Sequence, residues 1–140
     1  ADLLSPVAEL GGCSLGDALL APTRIYVKPI LALLQKVDIH SIAHITGGGF
    51  YENIPRSLPS GAGARIERKT FDVPQIFEMI QRIGDIPQRD MFNTFNMGIG
   101  MTVVVRPDQA DEAVRILRKE GVEAVCIGEV AEGDGGVELC

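Results

Sequence analysis

Three consecutive glycines, Gly47 to Gly49 in the stretch "HITGGGFYENIPR", narrow the folds open to this chain more than any other feature. Glycine loses more backbone entropy on folding than any other residue, so three in a row need a reason. Either the turn is too tight for side chains, or something outside the chain approaches the backbone closely. The flanks frame that choice. "IHSIAHIT", residues 39–46, alternates as a strand does, with Ile42, His44 and Thr46 pointing one way and Ala43 and Ile45 the other. A short helix is expected from about Phe50, ending near Pro55. Strand, glycine turn and helix suit an anion: glycines admit a phosphate, successive N–H groups form a concave donor set, and the helix dipole favours negative charge. "TGGGF" is not a Walker loop, because no Lys-Ser/Thr follows, and G-x-G-x-x-G is absent. The plainer alternative is a tight corner in which the glycines only avoid clashes.

The remaining pattern interleaves strands and helices. Residues 1–16 are mixed and glycine-containing, and residues 1–13 read as a linker. "SLGDALLAPTRIY" offers a short helix stopped by Pro22, then an extended "RIYV". Lys28-Pro29 opens a helix whose buried face is expected to hold Ile30, Leu31, Leu33, Leu34 and Val37. "SLPSGAGA" is loop, and "ARIERK" (64–69) a half-exposed strand. "VPQIFEMIQRIG" (73–84) predicts a helix between proline and glycine, with Ile76, Phe77, Ile80 and Ile83 inward. "PQRDMFNTF" offers another short helix, and "GIGMTVVVRP" (98–107) is the clearest strand. Pro107 then opens the clearest helix, acidic at its start and basic at its end, with Ala110, Val114 and Leu117 as its core stripe. "EAVCIGEVAEG" is a last strand, and "GDGGVELC" an edge strand or a loose tail. The pattern predicts α/β or α+β, with one sheet covered by helices.

Composition removes several classes. At 140 residues, one domain with a real core is expected. The chain is 46% hydrophobic, but no apolar run approaches the roughly 18 residues of a membrane span, so it reads as soluble. A net charge of −6 without a Lys/Arg stripe makes a poor partner for nucleic acid or an anionic membrane. Bound phosphate would therefore meet local N–H groups rather than a broad positive field. Cys13, Cys126 and Cys140 form no C-x-x-C or Cys/His cluster, so no metal site is expected. Sparse, unpaired thiols suit a reducing cytoplasm. The chain opens Ala-Asp-Leu-Leu with neither Met nor a secretory leader, and is expected to be a piece of something longer.

Other residues carry usable chemistry, each with a plainer reading beside it. His44 is a candidate general base or oxyanion donor, or a satisfied strand histidine. In "FNMGIGM", Gly98 and Gly100 imply close backbone approach by a ligand or by another element. Asn96 there either binds a substrate amide or caps a turn. Thr23 and Arg24 are suited to an anion, or are simply solvated. Glu52, Asn53 and Arg56 carry polar groups able to fix the glycine loop onto its neighbours.

"SLGDALLAPTRIYVKPILALL", "IAHITGGGFYENIPRSLP", "VPQIFEMIQ" and "MFNTFNMGIGMTVVV", in that order, resemble the C-terminal half of the phosphoribosylformylglycinamidine cyclo-ligases, also called aminoimidazole ribonucleotide synthetases. The likeness runs from Ser14 to Val130. It implies an α+β domain of helices layered on a mixed sheet (14–140), joined through 1–13 to an N-terminal α/β domain outside this chain. It also implies ATP-dependent closure of the imidazole ring of formylglycinamidine ribonucleotide, giving aminoimidazole ribonucleotide, ADP and phosphate. ATP and Mg2+ would be held mainly by the N-terminal domain, which would also supply the homodimer core. Thr46 and Gly47 to Gly49 become candidates for a phosphate of substrate or nucleotide, and His44 for an active-site polar residue. Asn96, Gly98 and Gly100 would line the same cleft, with Thr23 and Arg24 behind them. By itself the piece is expected to be inactive and to expose apolar surface where its partner docks. A related ATP-dependent synthetase domain, or a non-catalytic module that binds a phosphorylated metabolite or docks on a partner, are the alternatives.

Overall fold

The computed structural model describes residues 2–140. Residues 7–13 form a closed turn: the Val7 N–H donates to Cys13 O at 3.0 Å, a 3-10 turn spans Ala8–Leu10, and Gly11 adopts a left-handed φ of 64°. Glu9 pairs with Arg82, tying this turn to a distant helix. Ser14 then caps helix α1 (Leu15–Leu19), its hydroxyl oxygen accepting from the Asp17 N–H at 3.1 Å and its proton going to the Asp17 carboxylate at 2.7 Å. That cap satisfies an N–H with no partner inside the helix. Ser14→Ala should lower the melting temperature by about 4 °C, the equivalent of about 1 kcal/mol. An unchanged melting curve would show the cap to be idle.

Helix α2 (Val27–Leu34) begins one residue before the Lys28-Pro29 pair. Strand β1 (Ile39–His44) pairs antiparallel with β3 (Met101–Val105), Ile42 facing Val103 and His44 facing Met101. As the alternation requires, Ala43 and Ile45 are buried while His44 and Thr46 are exposed. Strand β2 (Ala62–Ile66) takes β4 (Gly128–Glu132) antiparallel on one edge and β5 (Val137–Leu139) parallel on the other. The tail is thus an edge strand. The class is α+β, but its strands form two sheets, β1-β3 and the mixed β4-β2-β5, where the sequence pattern implied one. After β1 the chain turns through the glycines into α3 (Gly49–Asn53) and a 3-10 turn at Pro55–Ser57. Ser41 Oγ donates to Ser57 O at 2.8 Å, so this turn is pinned against β1 before β2 begins.

Two clusters hold the layers together. The larger joins Ala43 and Ile45 of the β1 stretch, Phe50 and Ile54, Ala64 and Ile66 of β2, Phe71, Met97, and Met91 and Phe92 of α5 (Gln88–Thr94). Phe50, Phe71 and Phe92 meet with ring centroids 5.2 to 6.5 Å apart, in the tilted and edge-on arrangements that aromatic quadrupoles favour. Helix α4 (Gln75–Gly84) lays Phe77 and Ile80 on this cluster. Ile83, expected inward, is exposed, because α4 is covered along one side only and its last turn runs past the core. The smaller cluster joins Leu33 and Val37 to Ala113 of α6 (Ala110–Lys119), with Ile39, Val103 and Val105 closing it from the sheet.

Helix α6 follows a 3-10 turn at Pro107–Gln109, and its buried line is Ala113 with Ile116 and Leu117. The expected stripe of Ala110, Val114 and Leu117 is therefore rotated. The 3.6-residue period gives the spacing of a buried face, while the facing helix decides which residues lie at its centre. Leu31 and Leu34 of α2, expected in the core, are exposed for a similar reason. Among the described residues, no helix is long and apolar enough to cross a membrane. The three cysteines are free and exposed.

Candidate functional site

The glycine loop leaves β1 through Ile45, whose N–H donates to Gly100 O at 2.9 Å, and turns at once, the Gly49 N–H reaching back to Thr46 O at 3.0 Å. The three glycines then part company. An added Cβ on Gly49 would stand 2.0 Å from Phe92 O and 2.9 Å from Phe95 O, so α3 packs on the α5 backbone only because nothing is there. Gly48 has a left-handed φ of 93°, which the turn demands, and a Cβ there would meet the Glu52 side chain. Gly47 lies outside the left-handed region, and a Cβ on it would meet nothing within 4 Å. The chain's own packing thus accounts for two glycines and leaves Gly47 without an internal reason.

Asn53 sets the loop's polarity. Its side-chain amide donates toward Gly49 O at 2.8 Å, Gly47 O at 3.2 Å and Thr46 O at 3.4 Å. Three carbonyls therefore converge on one amide, which is the fixing role its place in "ENIPR" implied. Among the described residues, the Gly47 and Gly48 N–H groups have no hydrogen-bond partner. Glu52 and Arg56 pair with each other at 2.8 Å on the exposed side of α3. The turn thus carries two N–H groups without a partner, with the Asn53 amide behind it and the Glu52 side chain beside Gly48.

Beside the loop, on the outward side of β1, lies a residue the sequence reading passed over. The Tyr26 ring meets the His44 imidazole edge-on at a centroid distance of 6.0 Å. Its hydroxyl oxygen would be 2.1 Å from a Cβ on Gly100, so Gly100 is bare because the phenol occupies that space. His44, Tyr26 and Gly100 thus form one small surface where β1 ends and β3 begins. The available signal was an aromatic at the mouth of α2 together with a glycine at the mouth of β3. No local rule pairs them.

The other candidates fall elsewhere. Asn96 Oδ1 accepts from the Gly98 N–H at 3.0 Å, which is a turn cap. A Cβ on Gly98 would meet Pro74 Cδ at 2.6 Å, so another element accounts for its closeness. Arg24 donates to Gly121 O at 3.2 Å, beside the Lys28–Glu120 pair at 3.4 Å, all at the C-terminal end of α6, where cations are favoured. Thr23 is exposed, and no hydrogen bond joins either residue to the glycine loop. Surface depressions of about 440 and 510 Å3 lie at Gly121–Val125 and between Tyr51, Arg65, Arg89 and Asp134, and none of Thr46–Gly49 lines either. The carboxyls held below their usual range are also remote and exposed: Glu112 by its hydrogen bond from Arg115, and Asp2 by the Ser5 hydroxyl. Among the described residues, no three His, Cys, Asp or Glu side chains are grouped to hold a metal ion.

Comparison with known proteins adds what geometry alone does not carry. The chain is 50% identical over 137 residues to a "Phosphoribosylformylglycinamidine cyclo-ligase" of Caldicellulosiruptor bescii, covering 98% of this chain and 40% of that one. It is 53% identical over 129 residues to a protein of the same name from Alkaliphilus metalliredigens, covering 92% and 37%. A third of that name, from Bacillus mycoides, is 52% identical over 121 residues, covering 86% and 35%. The chain therefore spans about 35–40% of the length of these curated relatives. In fold it is similar to the crystal structure of E. coli HypE, with a TM-score of 0.62 at 19% identity over 96% of this chain and 44% of that one. With residues 4–140 matching the family described as "AIR synthase related protein, C-terminal domain", and with relatives this similar, the chain belongs to that family.

Proposed function

We propose that these residues are the C-terminal part of a phosphoribosylformylglycinamidine cyclo-ligase, and that they contribute the Thr46–Gly49 loop and the His44–Tyr26 surface to its reaction. Such an enzyme closes the imidazole ring of formylglycinamidine ribonucleotide in purine biosynthesis. ATP supplies the activation: a phosphoryl group on the formyl oxygen makes that carbon an electrophile, the ring-closing nitrogen attacks it, and phosphate leaves. Aminoimidazole ribonucleotide and ADP are the other products. This chemistry asks chiefly for positioning and for neutralisation of phosphoryl charge.

The residues present fit one of the required groups and not another. A phosphate fits the loop, because the Gly47 and Gly48 N–H groups are unpaired and Gly47 leaves its approach open. Magnesium does not fit, because among the described residues no three His, Cys, Asp or Glu side chains are grouped, and Glu52, the carboxylate beside Gly48, is paired with Arg56. On this reading the metal and most nucleotide contacts belong to the upstream domain, and the whole enzyme is a homodimer in the cytoplasm. His44 and the Tyr26 hydroxyl would donate to or accept from the substrate's amidine nitrogens or ribosyl oxygens. Asn53 holds the loop from behind.

The observation that carries the proposal is the bare, unexplained Gly47. In the full-length polypeptide, Gly47→Ala should cut kcat/KM for ADP release, with Mg-ATP and formylglycinamidine ribonucleotide, at least tenfold. Its melting temperature should hold or rise, because alanine at an unstrained glycine position stabilises by about 0.4–1 kcal/mol. Wild-type turnover in that variant would remove the loop from the reaction. Turnover by the 140 residues alone would refute their dependence on the upstream domain.

A further inference from the structure

Helix α2 is apolar on two faces. Leu33, continued by Val37, packs toward α6 and the β1-β3 sheet, and Pro29 one turn before Leu33 is buried too. Val27, Leu31 and Leu34 follow the i, i+4, i+7 spacing of a second stripe, roughly 150° around the helix. That stripe is open to solvent, Val27 at 63% and Leu31 at 57% exposure. The segment leading into it leaves Leu20 at 83% and Ile25 at 81%. Its cations are engaged elsewhere: Arg24 reaches Gly121 O, and Lys28 reaches Glu120. A helix that is apolar nearly all round belongs inside a structure, and contiguous exposed leucines on a rigid helix mark a covered surface.

Two facts say what covers it. The matched family is described as a C-terminal domain, and the chain spans only about 40% of its Caldicellulosiruptor bescii relative, so a protein of that kind has a larger remainder outside these residues. A tethered domain also meets the face at an effective concentration of about millimolar, whereas two free copies with a net charge of −6 each repel. We propose that the outer face of α2 (Val27, Leu31 and Leu34, with Leu20 and Ile25) is where the N-terminal remainder of the same polypeptide docks. This rests on the reading above only in taking the 140 residues as the C-terminal part of a longer chain. The reaction plays no part in it.

The test labels introduced thiols in the full-length polypeptide. Leu31→Cys lies in the proposed interface, and Ile83→Cys, at 72% exposure on α4, lies outside it. Both replace exposed side chains, so neither disturbs a core. With maleimide labelling read peptide by peptide, so that the native cysteines are told apart, Leu31→Cys should react at least tenfold more slowly than Ile83→Cys at every protein concentration. Equal rates overturn the proposal. Protection that appears only as concentration rises, together with a doubled particle mass, overturns it in favour of a second copy. ADP release is measured separately: a protected Leu31→Cys in a protein that does not turn over formylglycinamidine ribonucleotide leaves the docking face standing and sinks the ligase reading.

Discussion

Gly49→Ala should destabilise the domain by about 3 kcal/mol and take the loop's geometry with it. The new Cβ would stand 2.0 Å from Phe92 O and 2.9 Å from Phe95 O, both backbone atoms that cannot rotate away. Gly49 also holds a left-handed φ of 53°, which costs an L-residue about 1–2 kcal/mol. Forcing α3 off α5 adds about 1–3 kcal/mol of overpacking. Against a typical reserve of about 5–15 kcal/mol, such a loss is easily read from urea unfolding. The contrast with Gly47→Ala makes the test sharp, because two neighbouring glycines should respond in opposite directions. A Gly49→Ala midpoint equal to wild type would mean that α3 and α5 are not in this contact.

Phe92→Ala should cost about 3–5 kcal/mol, the range for removing a large aromatic from a closed core. The ring is 1% exposed and lies 5.2 Å from Phe50 and 6.5 Å from Phe71 by centroids, so its loss opens a cavity and removes two aromatic contacts. Phe92→Leu should restore a large part of the stability, since it refills much of the volume. The two sites also touch, because the Phe92 carbonyl is what Gly49 packs against. The double variant Gly49→Ala, Phe92→Ala should therefore lose less than the sum of the singles, as the cavity gives α5 room to retreat. Strict additivity would argue that the two contacts are independent. A Phe92→Ala loss below about 1 kcal/mol would place the ring outside the cooperative core.

Much of this domain is local, and the local part was legible. The faces of the second half of β1 follow from the alternation in "IHSIAHIT", and Ala43 and Ile45 are buried as that alternation requires. Helix α4 lies between Pro74 and its own terminal glycine, as the punctuation predicts. The sequence offered Glu52, Asn53 and Arg56 together as groups able to fix the glycine loop, and the structure gives that role to Asn53 while Glu52 and Arg56 pair with each other. The family, too, was legible, because "HITGGGFYENIPR" and "FNMGIGM" are segments of a likeness that runs nearly the length of the chain.

What was missed has one physical cause. A period reports how residues are arranged around an element but not where a neighbour stands, so the stripe of α6 came out rotated and Ile83 was placed inward. The same limit put Leu31 and Leu34 in the core. Leu33 and Val37 of the same expected face are buried, so the face was drawn too wide.

The sequence by itself determined the elements, the class, the family and the position of the glycine turn, because each depends on neighbours within a few residues or on a long ordered likeness. Only the tertiary structure decided what each glycine is for. Gly49 is bare because α5 passes behind it, Gly100 because Tyr26 lies over it, and Gly47 for no reason within the chain. Close approach between segments distant in sequence is a property of packing, and a run of identical residues cannot record which of them is being approached.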